Sequence, residues 1–131
     1  MRPLVSLNNL NKTYRVGEQA LHVLDNISLN IQQGDYISIM GPSGSGKSTL
    51  LNMIGMLDRP DQGDYQLDGR QTTSLNEEAR ARLRRQYIGF IFQNFHLVPR
   101  LTALENAELP LMLAGVESKR RKQIVIDIFI E

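Results

Sequence analysis

Alternating apolar and polar positions mark strands in the first part of the chain. Residues 4–7 form a short extended stretch, and residues 21–31 alternate apolar and polar side chains before a polar turn. Such alternation is typical of strands with one buried face. A turn at residues 33–35 precedes the apolar segment 36–40, which we predict to be a buried strand leading into a glycine-rich loop. The pattern predicts antiparallel strands followed by one buried strand.

A helix and a short strand are predicted after that loop. The helix covers residues 48–56 and should end near Pro60, because proline disfavours helical backbone at the residue before it. Residues 65–67 lie between turn signals and predict a short strand. We therefore expect a β insertion after the helix.

Capping-box spacing predicts the start of the next helix. Ser74 and Glu77 have the S-x-x-E pattern, and the helix should extend to about Arg85. Apolar residues 87–92 then predict another strand. The chain thus returns to β structure just before a polar segment.

Two more helices are predicted near the end of the chain. Thr102 and Glu105 form a second capping box, and the helix that they start must tolerate or stop at Pro110. A further helix is expected from Glu117. From residue 36 to residue 92 the predicted strands and helices alternate, an order that favours an α/β fold.

The composition is that of an ordinary globular domain. The chain has 131 residues and a net charge of +1, with 41% hydrophobic and 22% charged residues, which argues against disorder and a membrane-embedded chain. The absence of cysteine excludes disulfides, thiolate metal sites and cysteine nucleophiles. Because no signal-peptide core or long apolar run is present, we expect a cytoplasmic chain that meets a membrane only through a partner.

The glycine-rich loop carries the strongest chemical signal. It has the complete G-x-x-x-x-G-K-[ST] spacing, with residues Gly41, Pro42, Ser43, Gly44, Ser45, Gly46, Lys47 and Ser48. Glycines let successive N–H groups turn inward at the positive end of the following helix. Lys47 would contact the β- and γ-phosphates, Ser48 would ligate Mg²⁺, and Thr49 would contact the α-phosphate. The alternative interpretation is a glycine turn before a helix.

With this loop, several segments in the right order resemble the ABC transporter ATPases, in particular the branch that serves lipoprotein release and macrolide export. The resemblance covers residues 4–116. Besides the loop and the three residues after it (Thr49, Leu50 and Leu51), it rests on Asn11-Lys12-Thr13-Tyr14, Leu57-Asp58-Arg59-Pro60, Gly89-Phe90-Ile91-Phe92-Gln93 and Leu101-Thr102-Ala103-Leu104-Glu105-Asn106. It implies a P-loop NTPase core with an N-terminal antiparallel β subdomain and the start of a helical subdomain, truncated relative to the family.

The resemblance also implies roles for two residues outside the loop. Tyr14 resembles the aromatic residue that stacks on adenine, whereas without the family it is better read as a half-buried strand residue. Gln93 resembles the Q-loop glutamine that reaches Mg²⁺ and the attacking water, and its alternative is an ordinary polar residue at a strand end. The implied domain division is residues 1–93 and 94–131.

By the same resemblance, the ligands are ATP and Mg²⁺ and the partners are transmembrane permease subunits. The implied location is the cytoplasmic face of the plasma or inner membrane, with homodimers of nucleotide-binding domains in the full-length family. The function implied is an ATP-binding subunit that powers export or lipoprotein release. The alternatives are a truncated nucleotide-binding remnant without hydrolysis or transport, and a soluble ABC ATPase linked to nucleic acid.

The sequence departs from the family pattern in its second half. The Leu-Ser-Gly-Gly-Gln signature, the Walker B Asp-Glu pair and a late switch histidine are absent, and we interpret His22 and His96 as surface or loop residues. ATPase activity is therefore left open: we expect binding with negligible turnover by this chain alone. Uncovered strand edges should also make it poorly soluble.

Two basic clusters do not change this interpretation. One contains Arg80, Arg82, Arg84 and Arg85, and the other covers residues 119–122. We interpret both as solvated helix faces, because the net charge is near neutral and no aromatic residues interleave the arginines. No nucleic-acid partner is predicted.

Overall fold

The N-terminal strands pair as a long antiparallel hairpin. A computed structural model describes residues 2–91 and 97–130. Strand β1 (Val5–Val16) pairs with β2 (Gln19–Ile31), and β1 also pairs with β3 (Gln62–Leu67), which continues to the short β4 (Arg70–Gln71). The sheet order is β2-β1-β3-β4. The predicted antiparallel β region is confirmed.

Four helices complete the described secondary structure, each close to a predicted position. They are α1 (Lys47–Ile54), α2 (Glu77–Tyr87), α3 (Ala103–Leu113) and α4 (Ser118–Ile130). The capping box of α3 is confirmed, because Thr102 and Glu105 exchange side-chain and backbone hydrogen bonds, and this helix contains Pro110. The predicted cap of α2 is wrong: Asn76, not Ser74, is the N-cap, and its side chain accepts the Ala79 N–H at 2.8 Å.

The core of the N-terminal part lies between the sheet and helices α1 and α2. Leu7 and Leu10 on β1 pack with Tyr65 and Leu67 on β3, and all four side chains are buried. Met53 from α1, Met56 just after it and Leu83 from α2 belong to the same cluster. The alternation noted in the sequence therefore selects the buried face of the sheet, and Met53 packs α1, the helix after the glycine-rich loop, into the same core.

Two predicted strands are wrong. Residues 36–40 form no strand, and Tyr36 and Met40 are 94% and 88% exposed. Tyr87 ends helix α2, and residues 88–91 are also irregular. A buried strand needs hydrogen-bonded neighbours and covered faces, and no strand in the described part of the chain pairs with either segment. Apolar sequence alone could not supply those neighbours.

The chain divides into two compact units, Met1–Phe90 and Ile91–Glu131. The first unit contains the sheet, α1 and α2, and the second contains α3 and α4. In the second unit, buried Glu108 on α3 pairs with Arg121 on α4 at 3.3 Å. The functional division at residues 93 and 94 remains a prediction.

Candidate functional site

The glycine-rich loop joins the exposed segment 36–40 to helix α1. Gly44 and Gly46 have φ angles of 83° and 95°, in the left-handed region that favours glycine. A Cβ atom at Gly46 would lie 2.9 Å from the Val23 carbonyl oxygen, on the neighbouring strand β2. The second glycine of the motif is therefore required by both backbone conformation and space, as the sequence pattern implied.

Helix α1 presents an uncapped N-terminus to this loop. Its N-cap is Gly46, which has no side chain to accept a hydrogen bond, and the first backbone bond of the helix runs from the Leu50 N–H to the Gly46 carbonyl at 2.9 Å. The N–H groups of the first helical turn have no partners within the helix. Together with the helix dipole, they favour an anion at this position.

Lys47 supplies the positive charge of the loop. Its Nζ donates hydrogen bonds to the carbonyl oxygens of Gly41 and Pro42, the latter at 2.8 Å. These bonds fold the side chain back onto the first two residues of the loop. An ammonium held at the loop backbone is suited to oxyanions such as phosphate.

Two hydroxyl groups follow Lys47 in the first turn of α1. Ser48 is exposed and Thr49 is half-buried. Mg²⁺ is commonly held by few protein oxygens together with substrate phosphates and water. The described residues contain no cluster of three acidic or histidine side chains that could hold a metal. Ser48 offers one exposed hydroxyl oxygen, which is the kind of ligand that a phosphate-bound Mg²⁺ takes from a protein.

Tyr14 lies near the end of β1, and its hydroxyl is fixed by polar neighbours. It donates a hydrogen bond to Oδ2 of Asp58 at 2.5 Å, and the Thr49 side chain also hydrogen-bonds to it. Burial and then the contact with Asp58 raise the pKa of Tyr14 above its ordinary value. The structure thus connects Tyr14 to the helix that follows the glycine-rich loop.

Lys12, Asp58 and Asp61 complete this polar cluster. Lys12 Nζ lies 5.1 Å from the centroid of the Tyr14 ring, donates to the Arg59 carbonyl at 2.9 Å and forms ion pairs with both aspartates. Sequence reasoning gave these residues no individual role. The available signal was that Lys12 and Asp58 lie in two of the segments that carry the family resemblance, whereas Asp61 directly follows the second of them.

Arginines of α2 and the preceding loop hold the segment that carries Asp58. Buried Arg80 donates from Nη2 to the carbonyl oxygens of Met56 and Asp58, and Arg84 donates to the Met56 carbonyl at 2.6 Å. Arg80 also pairs with Glu77, as does Arg59. Their interpretation as a solvated face is therefore wrong for Arg80 and Arg84, because both satisfy backbone carbonyls.

Not every predicted site residue can be placed. Gln93 and His96 lie outside the described residues. His22 is exposed on β2, in agreement with its interpretation as a surface residue. The structure thus brings together the glycine-rich loop, Thr49 and Tyr14 within the first unit.

Comparisons with known proteins point to one family. A family model described as "ABC transporter" matches residues 24–129. The chain is 49% identical over 120 residues to YknY of Bacillus subtilis, an uncharacterized ABC transporter ATP-binding protein, covering 92% of this chain and 52% of that protein. It is 47% identical over 122 residues to the macrolide export ATP-binding/permease protein MacB of Salmonella typhimurium, covering 93% and 19% respectively.

Solved structures give the same result for the fold. The ATP-binding cassette MJ0796 of Methanocaldococcus jannaschii, in a dimeric post-hydrolysis state bound to ADP and Pi, matches with a TM-score of 0.85 and 46% identity. The match covers 94% of this chain and 54% of that one. The chain therefore spans about half the length of YknY and of MJ0796. No helix among the described residues is long and apolar enough to cross a membrane.

Proposed function

This chain belongs to the ABC transporter family, and we propose that it binds Mg-ATP through residues 41–48 and acts as the ATP-binding part of a transporter. The observation that carries the proposal is the combination of the left-handed glycines, the uncapped start of α1 and the folded-back Lys47. In this assignment the phosphates displace the carbonyl contacts of Lys47. Tyr14 stacks on adenine, and Ser48 contacts the Mg²⁺ that the nucleotide carries.

The remaining assignments of the site follow the same proposal. Residues 41–46 cradle the phosphates with their backbone, Thr49 contacts the α-phosphate, and Gln93 contacts Mg²⁺ and the attacking water. Bound Mg²⁺ supplies charge neutralisation between the terminal phosphates. The function assigned to residues 1–93 is nucleotide binding, and residues 94–131 begin a helical subdomain.

For the partners, we propose transmembrane permease subunits at the cytoplasmic face of the membrane, and export or lipoprotein release as the process that is powered. Similarity to a macrolide export ATP-binding/permease protein supports this assignment. Pairing of two nucleotide-binding domains is supported by the dimeric state named for the similar solved structures.

Binding by this chain should exceed its capacity for hydrolysis. Phosphoryl transfer requires an oriented water and charge stabilisation on the far side of the γ-phosphate, whereas the groups assigned here lie mostly on the near side. A nucleotide-binding remnant without hydrolysis or transport is the second candidate. It is favoured by the exposure of residues 36–40, which leaves the segment before the loop without strand neighbours in the described structure.

Calorimetric titration of the purified chain with Mg-ATP tests the binding proposal. Lys47→Ala should weaken binding about tenfold or more, because a charge-assisted hydrogen bond contributes roughly 1.5–3 kcal/mol. Lys119→Ala, at an exposed position on α4, is the matched control and should bind like the wild type. Equal affinities of the wild type and Lys47→Ala would contradict the proposed site.

The same preparations test hydrolysis. We expect no phosphate release above background from the chain alone. A rate typical of enzymes, abolished by Lys47→Ala, would show that this chain turns over ATP and would refute the second candidate.

A further inference from the structure

Asp58 forms a direct link between the loop after α1 and the Tyr14 hydroxyl. Its Oδ2 accepts the Tyr14 O–H at 2.5 Å, and its Oδ1 accepts the Arg59 N–H at 2.8 Å. One oxygen of the carboxylate is therefore fixed by the backbone N–H of the next residue while the other accepts the tyrosine hydroxyl. A tyrosine ring that is anchored at its hydroxyl cannot tilt freely about its side-chain bonds.

Lys12 restrains the same ring from its face. The ammonium is 5.1 Å from the ring centroid, within the range of a cation–π contact. Its own position is fixed, since it lies 3.6 Å from Asp58 Oδ1, 3.5 Å from Asp61 Oδ1 and 2.9 Å from the Arg59 carbonyl. Only 14% of the Lys12 side chain is exposed. One face of the ring is thus covered by a cation that has little freedom.

The loop that carries Asp58 is itself rigidly attached to α2. Arg80 donates to the Asp58 carbonyl at 2.9 Å, and Arg59 donates to the Leu75 carbonyl at 2.8 Å and pairs with Glu77. None of these contacts involves the Asp58 side chain, so they keep the loop in place independently of it. The anchor of the Tyr14 hydroxyl is therefore a fixed point of the first unit.

We propose that Asp58 is a positioning residue for the nucleotide base: together with Lys12 it fixes the Tyr14 ring so that its free face is ready to stack on a purine. The inference rests on the proposed binding of ATP and assigns to Asp58 a role that acts only through Tyr14. Fixing the platform before binding removes the entropic cost of immobilising it during binding. Asp58 contributes nothing to the contacts with the phosphates.

The role is tested by comparing two ligands in calorimetric titrations, Mg-ATP and Mg-tripolyphosphate, which has the phosphate chain but no base. Asp58→Ala should weaken Mg-ATP binding about three- to tenfold and leave tripolyphosphate binding unchanged. Glu78→Ala, which removes an exposed carboxylate from α2, is the control for charge and should change neither affinity.

Tyr14→Phe removes the same hydrogen bond from its other end and leaves the Asp58 loop intact. It should reproduce the selective loss of ATP affinity, and the double variant should lose no more than either single one. Tyr14→Phe thus tests the proposal even where Asp58→Ala fails to fold. An equal loss for both ligands in Asp58→Ala would assign Asp58 a general structural role and overturn the proposal, as would unchanged ATP affinity in Tyr14→Phe.

Different results would refute the proposed binding of ATP and the positioning role of Asp58. A wild-type chain that binds neither ligand would refute the proposed function and with it the role of Asp58. A wild-type chain that binds both ligands, with unchanged ATP affinity in Asp58→Ala, would refute the positioning role alone.

Discussion

The buried guanidinium of Arg80 donates a hydrogen bond to the Asp58 carbonyl oxygen at 2.9 Å. The same nitrogen donates to the Met56 carbonyl at 3.1 Å, so one side chain of α2 holds two points of the loop after α1. These two bonds position Asp58, whose side chain in turn accepts the Tyr14 hydroxyl. Arg80 thus satisfies buried backbone groups, although it lies in an arginine-rich helix.

Replacing Arg80 should destabilise the first unit substantially. Arg80→Ala leaves two backbone carbonyls without this donor, so we expect the free energy of unfolding to fall by roughly 2–4 kcal/mol in urea titrations. Arg82→Ala, at an exposed position on the same helix, should change it by less than about 0.5 kcal/mol. Equal effects of the two substitutions would argue for a solvated helix face after all.

Substitutions at two methionines test whether residues 36–40 are exposed, as in the structure, or buried, as the sequence pattern predicted. Met53 is 1% exposed in the core, and Met53→Ala should cost about 2–5 kcal/mol. Met40 is 88% exposed, and Met40→Ala should change stability by less than about 0.5 kcal/mol. Chemical denaturation of both variants gives the comparison. A large cost at Met40 would mean that residues 36–40 are buried as the sequence pattern suggested.

Two glycines of the glycine-rich loop should differ in their tolerance of a side chain. Both have positive φ angles, so alanine adds backbone strain of roughly 1–2 kcal/mol at either position. At Gly46 the new Cβ would also meet the Val23 carbonyl at 2.9 Å, whereas at Gly44 nothing lies within 4 Å. We therefore expect Gly46→Ala to unfold at lower urea concentration than Gly44→Ala, and equal midpoints would contradict this packing.

The link between Asp58 and Tyr14 should exist only between acidic and strongly alkaline pH. Burial, the largest single influence on Asp58, raises its pKa, but hydrogen bonds from Tyr14 and the Arg59 N–H, with the charge of Lys12, outweigh it and lower the pKa below 3.8. The stability that Asp58 adds is therefore present above its unfolded pKa and lost as pH falls through the lower folded value.

The contribution of Tyr14 to stability has the opposite dependence on pH. Its pKa is raised above 10.0 by burial and by Asp58, so its contribution is complete below the unfolded pKa and is lost as pH rises through the folded value. In carboxyl-carbon NMR titrations, Tyr14→Phe should raise the pKa of Asp58, because one hydrogen bond to the carboxylate is removed. An Asp58 titration that is identical in both proteins would show that the two side chains are not coupled.

Local signals in the sequence predicted most secondary-structure elements of both units. The hairpin strands, helix α1 and the capping box from Thr102 to Glu105 were recognisable because each depends on neighbouring residues. The predicted start of α2 was wrong: Asn76, and not Ser74, is its N-cap, since several residues near a helix start can accept the first N–H groups.

The sequence alone determined the glycine-rich loop, because its pattern depends on backbone conformation and spacing within eight consecutive residues. Only the tertiary structure decided the surroundings of Tyr14. Lys12 and Asp58 are separated along the chain by the hairpin, the loop and α1, and they meet because β1 and the segment after α1 pack together. The same dependence on distant neighbours explains residues 36–40: their apolar pattern is local, whereas a strand requires partners that only the rest of a sheet can provide.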